Sequence, residues 1–398
     1  MQDPSIFVGE GLPVAFSSIS FLFYFLPLFF IIYYLIPARA KNVVLLAGSL
    51  FFYAWGEPRW ILLLLASILV TWPEAGAGRR RGLLILGLVF QLGLLVAVKY
   101  AGFFFGAFID LPKLHLPLGV SFYTFHAISY LVDVYRQKTP PQKNLLRLGL
   151  YLALFPKLVM GPIVPYHELE PALAQRTIDA QDVSDGCFRF TIGLAKKALL
   201  ADALAGLVTG IWGDLASLTV LSAWLGLIGY ALQLYFDFSG YSDMAIGAAK
   251  MFGFEFLANF DYPYCADSVA AFWRRWHMSL GFWFRTYIYI PLGGSRCGTA
   301  RTICNLLLVW LLTGIWHGAA ATFVVWGLYY GLLLILEKFV LRDVLARVPA
   351  ILRRVLTFLL VVIGWVPFFS DTLGQAGAWL ARMFSAGQAG FVDAAANL

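Results

Sequence analysis

Charge is what this sequence has least of. Only 13% of its 398 residues are Asp, Glu, Lys or Arg, against about 25% in soluble globular domains. That scarcity excludes an ordinary soluble fold. Sustained polar–apolar alternation is missing too, which excludes a transmembrane β-barrel. Cysteine is sparse: Cys187, Cys265, Cys297 and Cys304 show no CxxC spacing. A disulfide framework is not supported, and the four read as buried reduced thiols. There is no Ser nucleophile elbow, no Gly-rich phosphate loop, no metal-ligand cluster, no internal repeat and no low-complexity segment.

What is abundant is apolar: 61% of residues are hydrophobic and 17% aromatic. Several runs reach the roughly 20 residues that one helical span needs. The pattern predicts an all-α polytopic integral membrane protein. Candidate spans lie near 16–36, 42–56, 58–72, 82–107, 117–135, 145–160, 186–212, 219–236, 302–316, 319–337 and 351–369. They form a single membrane domain over 16–387, between tails at 1–15 and 388–398. The run Phe21–Ile36 follows acidic Asp3 and Glu10 and precedes Pro37 and Arg39. That reads as a first span rather than a cleavable leader.

The formal charge of +7 does not indicate nucleic acid. Its cations gather at span edges: Arg39 and Lys41; Arg79, Arg80 and Arg81; Lys196 and Lys197; Lys338 and Arg342; Arg353 and Arg354. Such placement fits positive-inside anchoring and anionic lipid.

Residues 237–300 stand apart. They are aromatic, studded with charge and broken by Gly and Pro. Irregular backbone at membrane depth persists only where protein or water satisfies its polar groups. The segment is therefore expected to lie in the interface, or to re-enter and line a funnel.

Of the five histidines, His115, His126, His167, His277 and His317, two have telling surroundings. No Lys, Arg, Asp or Glu occurs from Thr302 to Leu336, and His317 sits inside that run, beside Trp316 and between Gly314 and Gly318. The run is too long for one span. The glycines predict a helix break that sets the imidazole within the membrane, where ionisable residues are costly and often functional. A neutral core histidine bonded to nearby backbone fits the same sequence. His277 lies in FWRRWHMSL, after Arg274, Arg275 and Trp276. The adjacent cations disfavour its protonation, while an interfacial aromatic-basic anchor helix explains the segment as well. Asp237 and Asp243, in YFDFSGYSD, need partners. A structural role is expected for both: Asp243 capping a helix that begins at MAIGAAKMF, and either pairing with Arg274 or Arg275.

Two histidines without a nucleophile suit direct acyl transfer. A neutral imidazole takes the proton of an acceptor hydroxyl as it attacks a thioester carbonyl, help worth about 10² to 10⁴ in rate. Orientation in a dry site and donors near the oxyanion supply the rest.

The motifs resemble those of the membrane-bound O-acyltransferases (MBOAT), and within that family the branch that acetylates alginate. The resemblance rests on FSSISFLFYFLPLFFIIYYLIP (16–37), SLFFYAWGEPRW (49–60), LPLGVSFYTFHAISYLVDVYR (116–136), FPKLVMGPIVPYHE (155–168), YALQLYFDFSGYSDMAIG (230–247), FWRRWHMSLGFWFRTYIYIPLGG (272–294) and GIWHGAAATFVVWG (314–327). It implies a ring of about 10–12 tilted helices around a central funnel or tunnel. His317 matches the family's near-invariant histidine. His277 matches a second position that varies between branches, which implies that it orients or stabilises. Asp237, Asp243, Arg274, Arg275, Trp276 and Trp316 would support the funnel. The resemblance further implies no bound cofactor and no metal, a cytoplasmic thioester donor such as acetyl-CoA, and a cell-surface polysaccharide acceptor. It also implies a periplasmic or extracellular partner protein and a place in the bacterial cytoplasmic (inner) membrane. Pro291 to Gly294 favour the acetylating branch over its D-alanine-transferring relatives. Thr286 and Ala321 depart from the branch pattern, where an acid and a Trp are usual.

Two other functions fit the same residues. One is D-alanyl transfer from a carrier protein to teichoic acid. The other is a transporter that moves an acyl group without transferase chemistry, with Asp237, Asp243 and broken helices along its path.

Overall fold

A computed structural model describes residues 15–76, 81–101, 116–213 and 218–385. His115, Arg79, Arg80, the end of the span expected at 82–107 and, Ala15 aside, both tails lie outside the described residues. Everything regular among the described residues is helical. Five helical segments are long and apolar enough to cross a membrane: Arg81–Tyr100, Val220–Met251, Thr299–His317, Ala321–Phe339 and Ala350–Phe369. Two shorter apolar ones, Ser20–Leu35 and Ile61–Trp72, accompany them. Large apolar side chains such as Phe23, Leu35, Leu86, Val89, Leu199 and Ile351 remain exposed on the protein surface. In an all-helical chain this apolar, such a surface is the lipid-facing one.

The chain forms two compact units. Among the described residues, one comprises those up to Leu194 together with Tyr241–Ala258; the other comprises those from Ala195 to Gly240 and from Asn259 onward.

The first unit contains α1 (Leu26–Leu35), α2 (Lys41–Gly56), α3 (Ile61–Gly76), α4 (Arg81–Leu95), α5 (Val120–Tyr135), α6 (Leu145–Ala153), α7 (Phe155–Leu158), α8 (Tyr166–Ala174) and α9 (Ala180–Ala195). A π-helical stretch, Ser20–Phe25, leads into α1. Phe21, Phe25 and Phe29 recur every four residues and so share one face; their rings pack on Phe155 at 5.6 to 6.3 Å. The apolar stretch 145–160 is not one span. Its helix stops at Leu154 and restarts at Phe155, because Pro156 lacks the N–H that a continuing helix needs. His126 is a core histidine here: its Nε2 accepts the Val164 N–H at 3.2 Å. His167, by contrast, is an exposed residue 3.8 Å from Asp133.

The second unit contains α10 (Asp202–Gly213), α11 (Val220–Met251), α12 (Val269–Arg275), α13 (Met278–Phe284), α14 (Thr299–His317), α15 (Ala321–Phe339), α16 (Arg342–Arg347), α17 (Ala350–Phe369) and α18 (Leu373–Met383). The last turns of α11 belong to the first unit. Its core is aromatic: Trp273, Trp310, Trp326, Tyr330 and Trp365 meet mostly edge to face, with centroids 4.7 to 6.3 Å apart, the arrangement that ring quadrupoles prefer. Helices α14 and α15 touch backbone to backbone. A Cβ on Gly314 would collide with the Phe323 carbonyl, and one on Gly327 with the Trp310 carbonyl.

The structure corrects five expectations. Residue 237 does not begin an irregular region, since α11 continues unbroken to Met251. Asp243 therefore caps nothing; it lies inside α11. The cations that meet the two carboxylates are Lys197, 3.0 Å from Asp237, and Arg189, 3.1 Å from Asp243, not Arg274 or Arg275. With its charges compensated the helix has no reason to stop at Asp or at Gly240. Lys197 is accordingly not an edge cation: it is 5% exposed and also holds Asp202 at 2.7 Å. The four cysteines are free, but exposed rather than buried, which a thiol tolerates on a surface facing lipid or loops.

Candidate active site

His317 is the last residue of α14, and α15 begins at Ala321. The expected break in the charge-free run is there, at Gly318. That residue is extended, and a Cβ on it would collide with the Phe323 ring. The imidazole is half-buried among Trp316, Trp326 and Phe368, with centroids at 4.7, 4.8 and 5.2 Å. It is held by rings, yet open enough to be reached.

His277 occupies the turn between α12 and α13, outside the spanning helices. Two anchors fix that turn. The Glu337 carboxylate of α15 accepts the Val269 and Ala270 N–H groups at 2.6 and 3.2 Å, so an anion caps the first turn of α12 where the helix dipole favours it. Asn259 grips the other side. Its main-chain carbonyl accepts the Met278 N–H at 2.9 Å and its Oδ1 accepts the Ser279 N–H at 3.0 Å. Between these anchors His277 takes a left-handed backbone, φ 45° and ψ 54°. An L-residue adopts that region only when its surroundings impose it, often at functional sites.

The His277 ring is 3% exposed. It meets Phe238 of α11 edge to face at 4.7 Å and Trp316 at 6.3 Å. Burial pushes its pKa down to about 3, because a charged ring is poorly solvated there. It is a neutral imidazole at physiological pH. Its Nδ1 lies 3.3 Å from Asn259 Oδ1, and its Nε2 is buried without a hydrogen-bond partner among the described residues.

The structure thus brings His277, Trp316 and His317 together, with Trp316 neighbouring both imidazoles. Trp276 points into packing instead, against Phe260 and Trp365 at 5.1 Å each. Arg274 is exposed and interacts electrostatically with Glu337, while Arg275 is half-buried and its carbonyl accepts the Asp261 N–H at 2.9 Å. Asp237 braces α11 through Lys197 one residue before Phe238. Sequence reasoning missed Asn259 and Glu337. Asn259 carried a faint signal, an amide just before the DYPY loop; Glu337 carried none beyond ending the charge-free run.

A family model for the membrane-bound O-acyltransferases matches residues 136–366. The chain belongs to that family. It is an acyltransferase and a multi-pass membrane protein. It is 42% identical over 393 residues to a probable alginate O-acetylase AlgI of Pseudomonas aeruginosa, covering 94% of this chain and 75% of the relative. It is 35% identical to a peptidoglycan O-acetyltransferase of Helicobacter pylori, over 91% of this chain and 78% of that one. A teichoic acid D-alanyltransferase of Bacillus subtilis is more distant, 28% identical over 58% of this chain and 63% of its own length.

Proposed function

We propose that the chain moves an acetyl group from a cytoplasmic thioester, acetyl-CoA, toward hydroxyls of a cell-surface polysaccharide, alginate-like or peptidoglycan. The observation that carries this reading is the pair of imidazoles, one neutral and buried and one reachable at a helix break, with Trp316 beside both. Similarity to O-acetylating relatives over most of the chain supports it.

In this reading His317 is the general base. An acceptor oxygen attacks the acyl carbonyl carbon while the imidazole takes the hydroxyl proton. The tetrahedral intermediate expels the thiolate, and the imidazolium returns the proton to sulfur. The protein holds the reactants in a dry aromatic site, and His277 aligns rather than abstracts. The six residues around the histidines act as support: Trp316 between the rings, Trp276 by packing, Asp237 and Asp243 by bracing α11, Arg274 and Arg275 by flanking the His277 turn. The setting is the bacterial inner membrane, with a periplasmic partner protein receiving the group. A funnel enclosed by tilted helices would bring the donor from the cytoplasm.

The test uses inverted membrane vesicles given acetyl-labelled acetyl-CoA, alongside vesicles given D-alanyl carrier protein. Label leaving acetyl-CoA for a hydroxyl ester supports the reading. Transfer of D-alanyl alone replaces it with the teichoic-acid reaction. Donor uptake without ester formation replaces it with transport.

A further inference from the structure

The contacts of Asn259 fix more than the backbone turn. A main-chain N–H can only donate, so the Asn259 amide atom facing Ser279 N at 3.0 Å is the oxygen, not the nitrogen. That same oxygen lies 3.3 Å from His277 Nδ1. Two groups therefore meet one acceptor, and Nδ1 must carry a hydrogen to join it. In a neutral ring the second nitrogen is then bare. His277 Nε2 is that nitrogen, buried and unpartnered among the described residues. A buried acceptor left unmade is costly, and such a group marks a place that a ligand fills.

We propose that Asn259 is a positioning residue that locks His277 as its Nδ1–H tautomer, so that Nε2 accepts a hydrogen bond from a neighbouring hydroxyl of the acceptor sugar and orients it, leaving the attacking hydroxyl to give its own proton to His317. The proposal rests on the O-acyl-transfer reading above. It also removes His277 from one role. A ring with a bare Nε2 cannot donate to the oxyanion, so oxyanion donors must come from elsewhere in the site.

The lock depends on the ring staying neutral. The charged and titratable groups on the surrounding elements include Arg274 and Arg275 on α12, Asp261 in the loop after Asn259, Asp237, Asp243 and Lys250 on α11, and Arg301 and His317 on α14. Asp237 is matched by Lys197 at 3.0 Å. The Asn259 amide, by contrast, is uncharged and touches the ring directly.

Two variants and one spectrum test this. Asn259→Asp keeps an oxygen facing both Ser279 N–H and His277 Nδ1–H, and Asp is as good a helix cap as Asn. Its negative charge, however, favours the imidazolium, whose Nε2 can no longer accept. The acid limb of the acetyl-transfer pH profile is expected to rise by about one pH unit or more, with the alkaline plateau near wild type. Asn259→Leu removes the acceptor and is expected to lower transfer about tenfold or more at every pH, a loss in kcat rather than KM for acetyl-CoA. The nitrogen NMR spectrum of ¹⁵N-histidine-labelled protein, with the His277 signals assigned by their loss in His277→Gln, is expected to show a protonated Nδ1 and a bare Nε2. A wild-type pH profile for Asn259→Asp, near-wild-type turnover by Asn259→Leu, or a protonated Nε2 each overturns the proposal. If Asn259→Leu does not insert, Asn259→Asp and the spectrum decide. If wild-type protein transfers no acetyl group, the acetyl reading fails, and the spectrum still judges the tautomer separately.

Discussion

The Lys197 ammonium and the Asp237 carboxylate lie 3.0 Å apart in the second unit, 5% and 7% exposed. Breaking a buried pair from one side costs about 3–5 kcal/mol, because the remaining charge loses its compensation. Lys197 has a second carboxylate, Asp202, so the two halves of the pair are not equivalent. Lys197→Met is expected to lower thermal stability in detergent more than Asp237→Asn does. The double variant should recover part of the loss, and equal, additive losses would contradict the pairing.

Helices α14 and α15 carry His317 at their junction, and Gly314 and Gly327 set how closely they approach. Small residues at such a contact let transmembrane backbones touch. Gly327→Ala forces its methyl against the Trp310 carbonyl. The expected cost is about 1–3 kcal/mol, with a fall in transfer as the hairpin carrying His317 shifts. Gly206→Ala serves as the control, since a Cβ there meets nothing. Comparing melting temperature and turnover for the two checks this, and equal behaviour would dismiss the close approach.

Stability should depend on pH through His277. Its folded pKa is about 3, below the ordinary 6.5. Between those values the unfolded chain binds a proton that the folded chain does not, so stability rises with pH across the window. The contribution is complete above about pH 6.5 and is lost, by up to about 1.4 kcal/mol per pH unit, as pH falls. The melting temperature of wild type should therefore drop more between pH 7 and pH 5 than that of His277→Asn. Parallel curves would show that the ring is not held neutral.

The helices were legible because lipid imposes a simple code: long apolar runs, with charge at their ends. The break at Gly318 was legible for the same reason, since the run from Thr302 is too long for one helix. Irregularity was over-read from Asp237 onward. Charge within an aromatic segment argued for a break there, but Lys197 and Arg189 lie 40 and 54 residues away in sequence from Asp237 and Asp243 and remove the cost of burying the carboxylates. His277 and His317 stood out by their neighbours. Asn259 and Glu337 did not, because a cap is defined by which N–H groups it meets, and those lie 20 and 67 or more residues off in the chain.

The central claim is that His317 performs the transfer. Its most direct test is acetyl-CoA-dependent ester formation in inverted vesicles carrying wild type, His317→Ala or His317→Gln at matched, properly inserted levels. Losing the general base is expected to cost about 10² to 10⁴ in rate in both variants, with insertion and melting temperature near wild type. Transfer by His317→Gln at the wild-type rate would contradict the account and leave His317 a packing residue.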